Sequence, residues 1–192
     1  MPRLEGELVN LRAVEPADAE RAYKWINDGD VTQFLAARYP YSMEFEKEWA
    51  LGAAKENAFS ELRFAIETKD GVHIGVCGLH RGNPENRHAE LGIMIGEKDY
   101  WSNGYGTDTI VTVLRFAFYQ MNLNRVGLAV FEFNPRGMAC YRKSGFTEEG
   151  RAREGYYQDG RYWDIIHMSV LRREFDALHG PAKTTVNSPA SA

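Results

Sequence analysis

The stretch from Asp99 to Asp108, Asp-Tyr-Trp-Ser-Asn-Gly-Tyr-Gly-Thr-Asp, constrains this chain most, because it turns an apolar run into a glycine loop and then into a helix. Upstream, Leu91, Ile93 and Ile95 alternate as a strand does; downstream, Ile110, Val111, Leu114, Ala117 and Phe118 recur at helical spacing. The glycines therefore fall at a strand-to-helix junction. A helix start carries unpaired N–H groups and roughly half a positive charge, so a loop without bulky side chains there suits phosphate oxygens.

The remaining segments arrange themselves around that junction. Leu8 to Leu11 reads as a short strand, and Asp18 to Asn27 as a helix through Ala19, Ala22, Trp25 and Ile26. Asn27-Asp28-Gly29-Asp30 breaks it, Val31 to Leu35 suggests another helical turn, and Ser42 caps a helix carrying Phe45, Trp49 and Ala53. Leu62 to Ile66 and His73 to His80 alternate about a turn at Lys69-Asp70-Gly71, and Gly82 to Asn86 returns the chain into His88 to Ile95. Three antiparallel strands thus lead to the loop. After the long helix, Arg125 to Phe131 is rich in β-formers, and Asn134-Pro135 opens a helix that Gly145 terminates. Phe146 to Tyr157 and Arg161 to Val170 flank an Asp159-Gly160 hairpin tip. These readings make residues 1–178 one domain and 179–192, small and polar, a disordered tail.

Glycine alone does not define the loop's ligand. A dinucleotide fingerprint needs a third glycine where Thr109 stands, and a nucleoside triphosphate loop needs lysine followed by Ser or Thr after Gly106, where Thr107-Asp108 follows instead. Trp101-Ser102-Asn103-Gly104-Tyr105-Gly106-Thr107-Asp108 instead resembles the acetyl-CoA pyrophosphate loop of the GCN5-related N-acetyltransferase (GNAT) superfamily. Asn134-Pro135, then Ala139-Cys140-Tyr141-Arg142-Lys143-Ser144-Gly145-Phe146, is similar to that superfamily's other motif. Tyr156 to Asp164 and Trp25-Ile26-Asn27-Asp28 narrow the likeness to the branch of ribosomal-protein N-terminal and spermidine acetyltransferases. Two positions depart from the pattern: Trp101 stands where many members have arginine or glutamine, and Gly29 stands where an Asn-Asp-Pro turn is usual.

The resemblance implies an α+β GNAT fold: a mixed, mostly antiparallel sheet of about seven strands flanked by helices, with a splayed cofactor cleft between the fourth and fifth strands. It implies acetyl-CoA as co-substrate, with backbone groups of Ile93, Met94 and Ile95 on the pantetheine and acetyl carbonyl, and N–H groups from Trp101, Ser102, Asn103, Gly104, Tyr105, Gly106 and Thr107 on the pyrophosphate. Asn134 and Lys143 are further cofactor contacts, although Asn134 also reads as a helix cap and Lys143 as a solvated lysine. Dimerisation through the final strands is implied by the same likeness alone.

The acceptor on this reading is a primary amine, on a small molecule or a protein N-terminus, and it must lose a proton. Neutralising an amine of pKa about 10.4 at pH 7 costs roughly 4.6 kcal/mol, against about 1 for an α-amine near 7.8. Glu90, three residues before Ile93, is the candidate base, acting through one or more waters, or else a solvated strand carboxylate or a partner of Arg87. Tyr141 is the candidate acid for the thiolate, or else a packed helix aromatic. Asp28, Asp30, Glu44, Glu46 and Glu48 read as attractors of a cationic acceptor or as solvated surface.

Composition narrows the alternatives. A net charge of −4 gives no basic footprint for nucleic acid, and 44% hydrophobic residues suit a globular domain. No run approaches the roughly 18 apolar residues of a membrane helix, so the expectation is a cytoplasmic protein without membrane partners. Cys77 and Cys140 read as free thiols, and His73, His80, His88, His167 and His179 lack metal-ligand spacing, so no metal is expected. An acyl-CoA-binding regulatory module without turnover, or a transferase of another acyl group, also accommodates these motifs.

Overall fold

The computed structural model describes residues 3–55 and 58–180; of the tail expected over 179–192, residues 181–192 lie outside them. One eight-stranded sheet has the order β1-β2-β3-β4-β5-β6-β8-β7. Its strands are β1 (Leu4–Glu5), β2 (Val9–Ala13), β3 (Glu61–Thr68), β4 (His73–Asn83), β5 (His88–Ile95), β6 (Arg125–Phe131), β7 (Thr147–Gln158) and β8 (Arg161–Leu171). The helices are α1 (Ala19–Ile26), α2 (Gly29–Thr32), α3 (Met43–Lys55), α4 (Tyr105–Tyr119), α5 (Pro135–Lys143) and α6 (Arg172–His179). All neighbouring strands pair antiparallel except β5 and β6, which are parallel because α4 carries the chain from one to the other. Beyond the seven strands expected, the short β1 pairs with β2.

The two faces of the sheet bury different material. Phe64, Ile66, Cys77, Leu79 and Leu91 face α4, where they meet Ile110, Val113, Leu114 and Phe118 in the main core. On the opposite face Ala65 packs with Val14, Ala19, Ala50 and Ala53, which seats α1 and α3. Trp25 pins this second layer to the end of β5: its ring lies where a Cβ on Gly96 would come within 2.1 Å, and its Nε1 donates to Glu97 at 3.1 Å. Asp159 and Gly160 have φ of 53° and 82°, the left-handed pair that an Asp-Gly hairpin tip supplies between β7 and β8. Among the described residues no helix is long and apolar enough to cross a membrane.

Candidate active site

The sheet opens at its one parallel seam. Pairing of β5 with β6 runs through His88–Arg125, Ala89–Val126 and Glu90–Gly127 and then stops, while β5 stays on β4 to Ile95 and β6 stays on β8 to Phe131. A fork therefore forms beyond Glu90. Gly96 N–H turns to Ile74 on β4, whereas the Ile95 carbonyl accepts from the Trp101 indole at 2.7 Å. By strand alternation the peptide groups of Ile93 and Ile95 face the fork and those of Met94 face β4. Met94 also lines the cleft, although its peptide groups are turned to β4 and not to the fork where backbone pairing was expected. The cleft has a volume of about 670 Å³.

At the mouth of the fork the glycine loop turns into α4. Ser102 and Gly104 have φ of 61° and 89°, and this left-handed turning is what lets the chain reverse before Tyr105 begins the helix. Trp101 N–H already donates to Lys98 at 3.0 Å, so Trp101 contributes its indole instead of the expected N–H. The N–H groups from Ser102 to Thr107 have no acceptor among the described residues, which leaves a row of donors at a helix start. Asn103 and Tyr105 turn their side chains elsewhere, Asn103 donating to the Asp99 carbonyl and Tyr105 packing edge-on against Tyr100. Asp108 holds the arrangement from behind, its carboxylate accepting the N–H groups of Glu7, Leu8 and Val9 at 3.0, 2.7 and 2.9 Å.

Helix α5 forms the facing wall. Asn134 caps it by accepting from Gly137 N–H at 2.8 Å, and Asn134, Tyr141 and Lys143 all line the cleft. The Tyr141 hydroxyl has no partner among the described residues; burial, then the neighbouring Cys140, push its pKa up to about 12. Cys140 packs against the start of α4, with Sγ 3.3 Å from Thr107 Oγ1, and burial raises its thiol despite that contact and the charge of Lys143. It is a packed thiol, not an activated nucleophile. Burial likewise raises Cys77.

The carboxylates expected near the acceptor stand outside the lining of the cleft. Glu90 is 47% exposed and ion-paired to Arg81 at 3.0 Å, outside the lining of the cleft; Arg87 instead bonds Asn122. Asp28 and Asp30 both hold Lys98, at 2.9 and 2.8 Å, and the lining described contains no Asp or Glu. Aromatic and aliphatic groups take that space: Phe34 and Leu35, from the segment after α2, face Phe131, Tyr156 and Ile165. Arg136, which the motif reading overlooked, lies 4.1 Å over the Trp101 ring. Its place just after Asn134-Pro135, in a first helical turn opposite the loop, was the available signal; Phe34 had none. Among the described residues no His, Cys, Asp and Glu cluster of metal-binding kind occurs.

The likeness to known proteins follows the same lines. A family model described as an acetyltransferase (GNAT) domain matches residues 9–147. A Bacillus subtilis (strain 168) protein provisionally named ribosomal N-acetyltransferase YdaF is 31% identical over 89% of this chain and 95% of its own. Spermidine N(1)-acetyltransferase of Vibrio cholerae is 28% identical over 87% of this chain and 95% of its own. A crystal structure of the Vibrio cholerae spermidine N-acetyltransferase with CoA and spermine superposes with a TM-score of 0.79 at 28% identity, covering 88% of this chain and 98% of that one. With a parallel seam that forks, a donor-lined helix start at its mouth and a family match spanning both, this chain belongs to the GNAT acetyltransferase family.

Proposed function

We propose that this acetyl-CoA-dependent N-acyltransferase acts on an amine flanked by apolar groups, a protein or peptide α-amine before a polyamine. The observation that carries this reading is the lining of the cleft, which sets Phe34, Leu35, Phe131, Tyr156 and Ile165 beside the fork and no carboxylate. A polycation binds by charge, and here the charged side chains that line the cleft are Arg136 and Lys143, while Arg38, 4.3 Å over the Tyr156 ring, and Asp159 line the adjoining depression. Desolvating several ammonium groups against such a wall is costly without paired anions. An α-amine brings at most one charge and loses it for about 1 kcal/mol at pH 7.

The chain's own groups divide the work. The N–H groups of Ser102 to Thr107, with Arg136 and Lys143 on the facing helix, hold the diphosphate of acetyl-CoA, and extended pantetheine pairs with Ile93 as an added strand does. Ile93 N–H stabilises the charge that grows on the thioester oxygen, an effect worth about 3 to 4 kcal/mol elsewhere. Tyr141 steadies the departing sulfur by donating a hydrogen bond and keeps its own proton. A phenol pushed up to about 12 cannot protonate a thiolate whose acid titrates near 8.5 without a cost of about 5 kcal/mol.

Rates with acetyl-CoA on a panel of peptides, with aliphatic or acidic first residues, and on spermidine and spermine test the reading. Aliphatic peptides are expected to exceed spermidine in kcat/KM by about tenfold or more. A preference for spermidine, the substrate named for the Vibrio cholerae and Escherichia coli relatives, overturns it.

A further inference from the structure

A histidine that neither motif contains lies beside the fork. Glu61, His80 and Glu90 are register partners across β3, β4 and β5, so their side chains rise from the sheet face opposite α4. The His80 ring lies over two glycines: a Cβ on Gly78 would come within 3.2 Å of Cε1, and one on Gly92 within 2.9 Å of Nε2. Gly92 lines the cleft just past Glu90, the last β5 residue paired to β6. Nδ1 is 2.5 Å from Glu61 Oε1, so the proton sits on Nδ1 and the lone pair of the neutral ring is on Nε2. Nε2 has no partner among the described residues, and the side chain is 37% exposed. The other charged groups around it are engaged: Arg63 holds the same Glu61 oxygen at 3.0 Å, and Arg81 holds Glu90.

We propose that His80 takes the acceptor amine's proton at Nε2, directly or through one water, with Glu61 as the positioning residue that fixes the tautomer. The inference rests on the acetyl-transfer reading above. An arriving R–NH3+ gives one proton to Nε2, and the freed electron pair attacks the thioester carbon. The C–N bond forms, the C–S bond breaks with its electrons on sulfur, and the nitrogen's second proton leaves to water. Sulfur gains one proton from water and His80 returns its own to solvent, so each turnover releases one net proton. Glycine at 78 and 92 is what leaves room for the ring over the strands, with Nε2 against Gly92 of the cleft lining.

The test compares wild type, His80→Ala, His80→Gln, Glu61→Gln and Glu90→Gln with acetyl-CoA and the best peptide, with CoA affinity measured by calorimetry. In His80→Ala, kcat is expected to fall about 100-fold with CoA affinity kept, the acid limb of log kcat against pH to vanish, and added imidazole to restore part of the rate. Glu61→Gln is expected to lose roughly 10-fold and keep a displaced limb. In the ligand-free protein, nitrogen NMR should show Nδ1 protonated and Nε2 bare in the neutral ring. A His80→Gln enzyme that binds CoA and keeps both wild-type kcat and the limb overturns the proposal. So does loss of the limb in Glu90→Gln with its survival in His80→Gln, or the opposite tautomer. Failure of the wild type to bind CoA would instead sink the transferase reading, which keeps the two failures distinct.

Discussion

Two carboxylate–histidine pairs stand on the same sheet and do opposite things. Asp18 lies 3.1 Å from His73 Nδ1, with side chains only 8% and 6% exposed, and the other ring nitrogen donates to the Gly75 carbonyl at 2.9 Å. Arg12 closes the rest, giving Asp18 two hydrogen bonds at 2.7 and 2.8 Å and Glu67 one at 2.6 Å. Glu61 and His80 are 30% and 37% exposed, and the second nitrogen of that ring is open beside the fork. The difference teaches that the chemistry of such a pair is decided by its second nitrogen. Closed on a carbonyl, the imidazole ties α1 to the sheet; left open, it can exchange a proton.

The largest effect expected from breaking this contrast is on the sealed pair. Asp18→Asn leaves Arg12 buried with a partner short, a change that costs about 3–5 kcal/mol in comparable sites. Chemical denaturation should show that loss, while kcat per folded molecule stays at the wild-type value. The same pair sets an acid limit. Burial would raise the Asp18 pKa, but hydrogen bonds from Arg12, the nearby His73 ring and the Glu15 N–H outweigh it and hold the carboxyl well below its usual range. A depressed folded pKa gives stability that is present above the unfolded value, near 3.9, and is lost as pH falls through the folded one. Wild-type stability should therefore fall more steeply than that of Asp18→Asn below about pH 4.

Next in size is Tyr141→Phe. Removing a hydrogen bond to a developing thiolate costs about 1.5–3 kcal/mol, or roughly 10- to 100-fold in kcat. Because burial holds the phenol near 12, the variant should keep the wild-type pH profile. Disappearance of a basic limb would mean that Tyr141 passes its proton after all.

Gly92→Ala sharpens the contrast from the backbone side. The added Cβ meets the far edge of the His80 ring, so the ring swings aside and kcat is expected to drop about tenfold with stability nearly unchanged. Gly78→Ala should behave differently, since its Cβ would sit 2.4 Å from the Leu62 carbonyl, a backbone atom that cannot yield. Thermal unfolding of the two variants separates a misplaced side chain from a disrupted sheet.

How far the chain announces this arrangement depends on sequence distance. The Asp159-Gly160 tip, the Asn134 cap and the glycine loop were legible because each is a local conformational preference written in adjacent residues. Much of the fork was not. That β5 and β6 part after Glu90 and Gly127 follows from register across a long crossover, and no periodicity within either strand marks the last paired residue. Glu90 illustrates the limit: its proximity to Ile93 pointed to a base acting through water, and nothing local announced that the chain's path at β4 brings Arg81 to its carboxylate. His80 read only as the end of a strand, because its meaning comes from Gly92 on the neighbouring one. Asp108 was seen as part of a motif, and its bonds to Glu7, Leu8 and Val9 depend on the distant β1–β2 turn.

The smallest effect expected tests the outer end of the cleft, where nothing is sealed. Arg136 lies 4.1 Å over Trp101 and 5.7 Å over Phe34, at the first turn of α5 and facing the amide row. An exposed cation over an aromatic face contributes about 0.5–1 kcal/mol, and its charge adds a salt-screened attraction for phosphate. Arg136→Ala should therefore raise KM for acetyl-CoA by roughly 3- to 10-fold, leave kcat alone, and flatten the dependence of KM on ionic strength. A fall in kcat with KM unchanged would place Arg136 at the reacting end instead. That result would mean the guanidinium and His80 share one compartment, and the proton-taking site would then be charged from both sides of the fork.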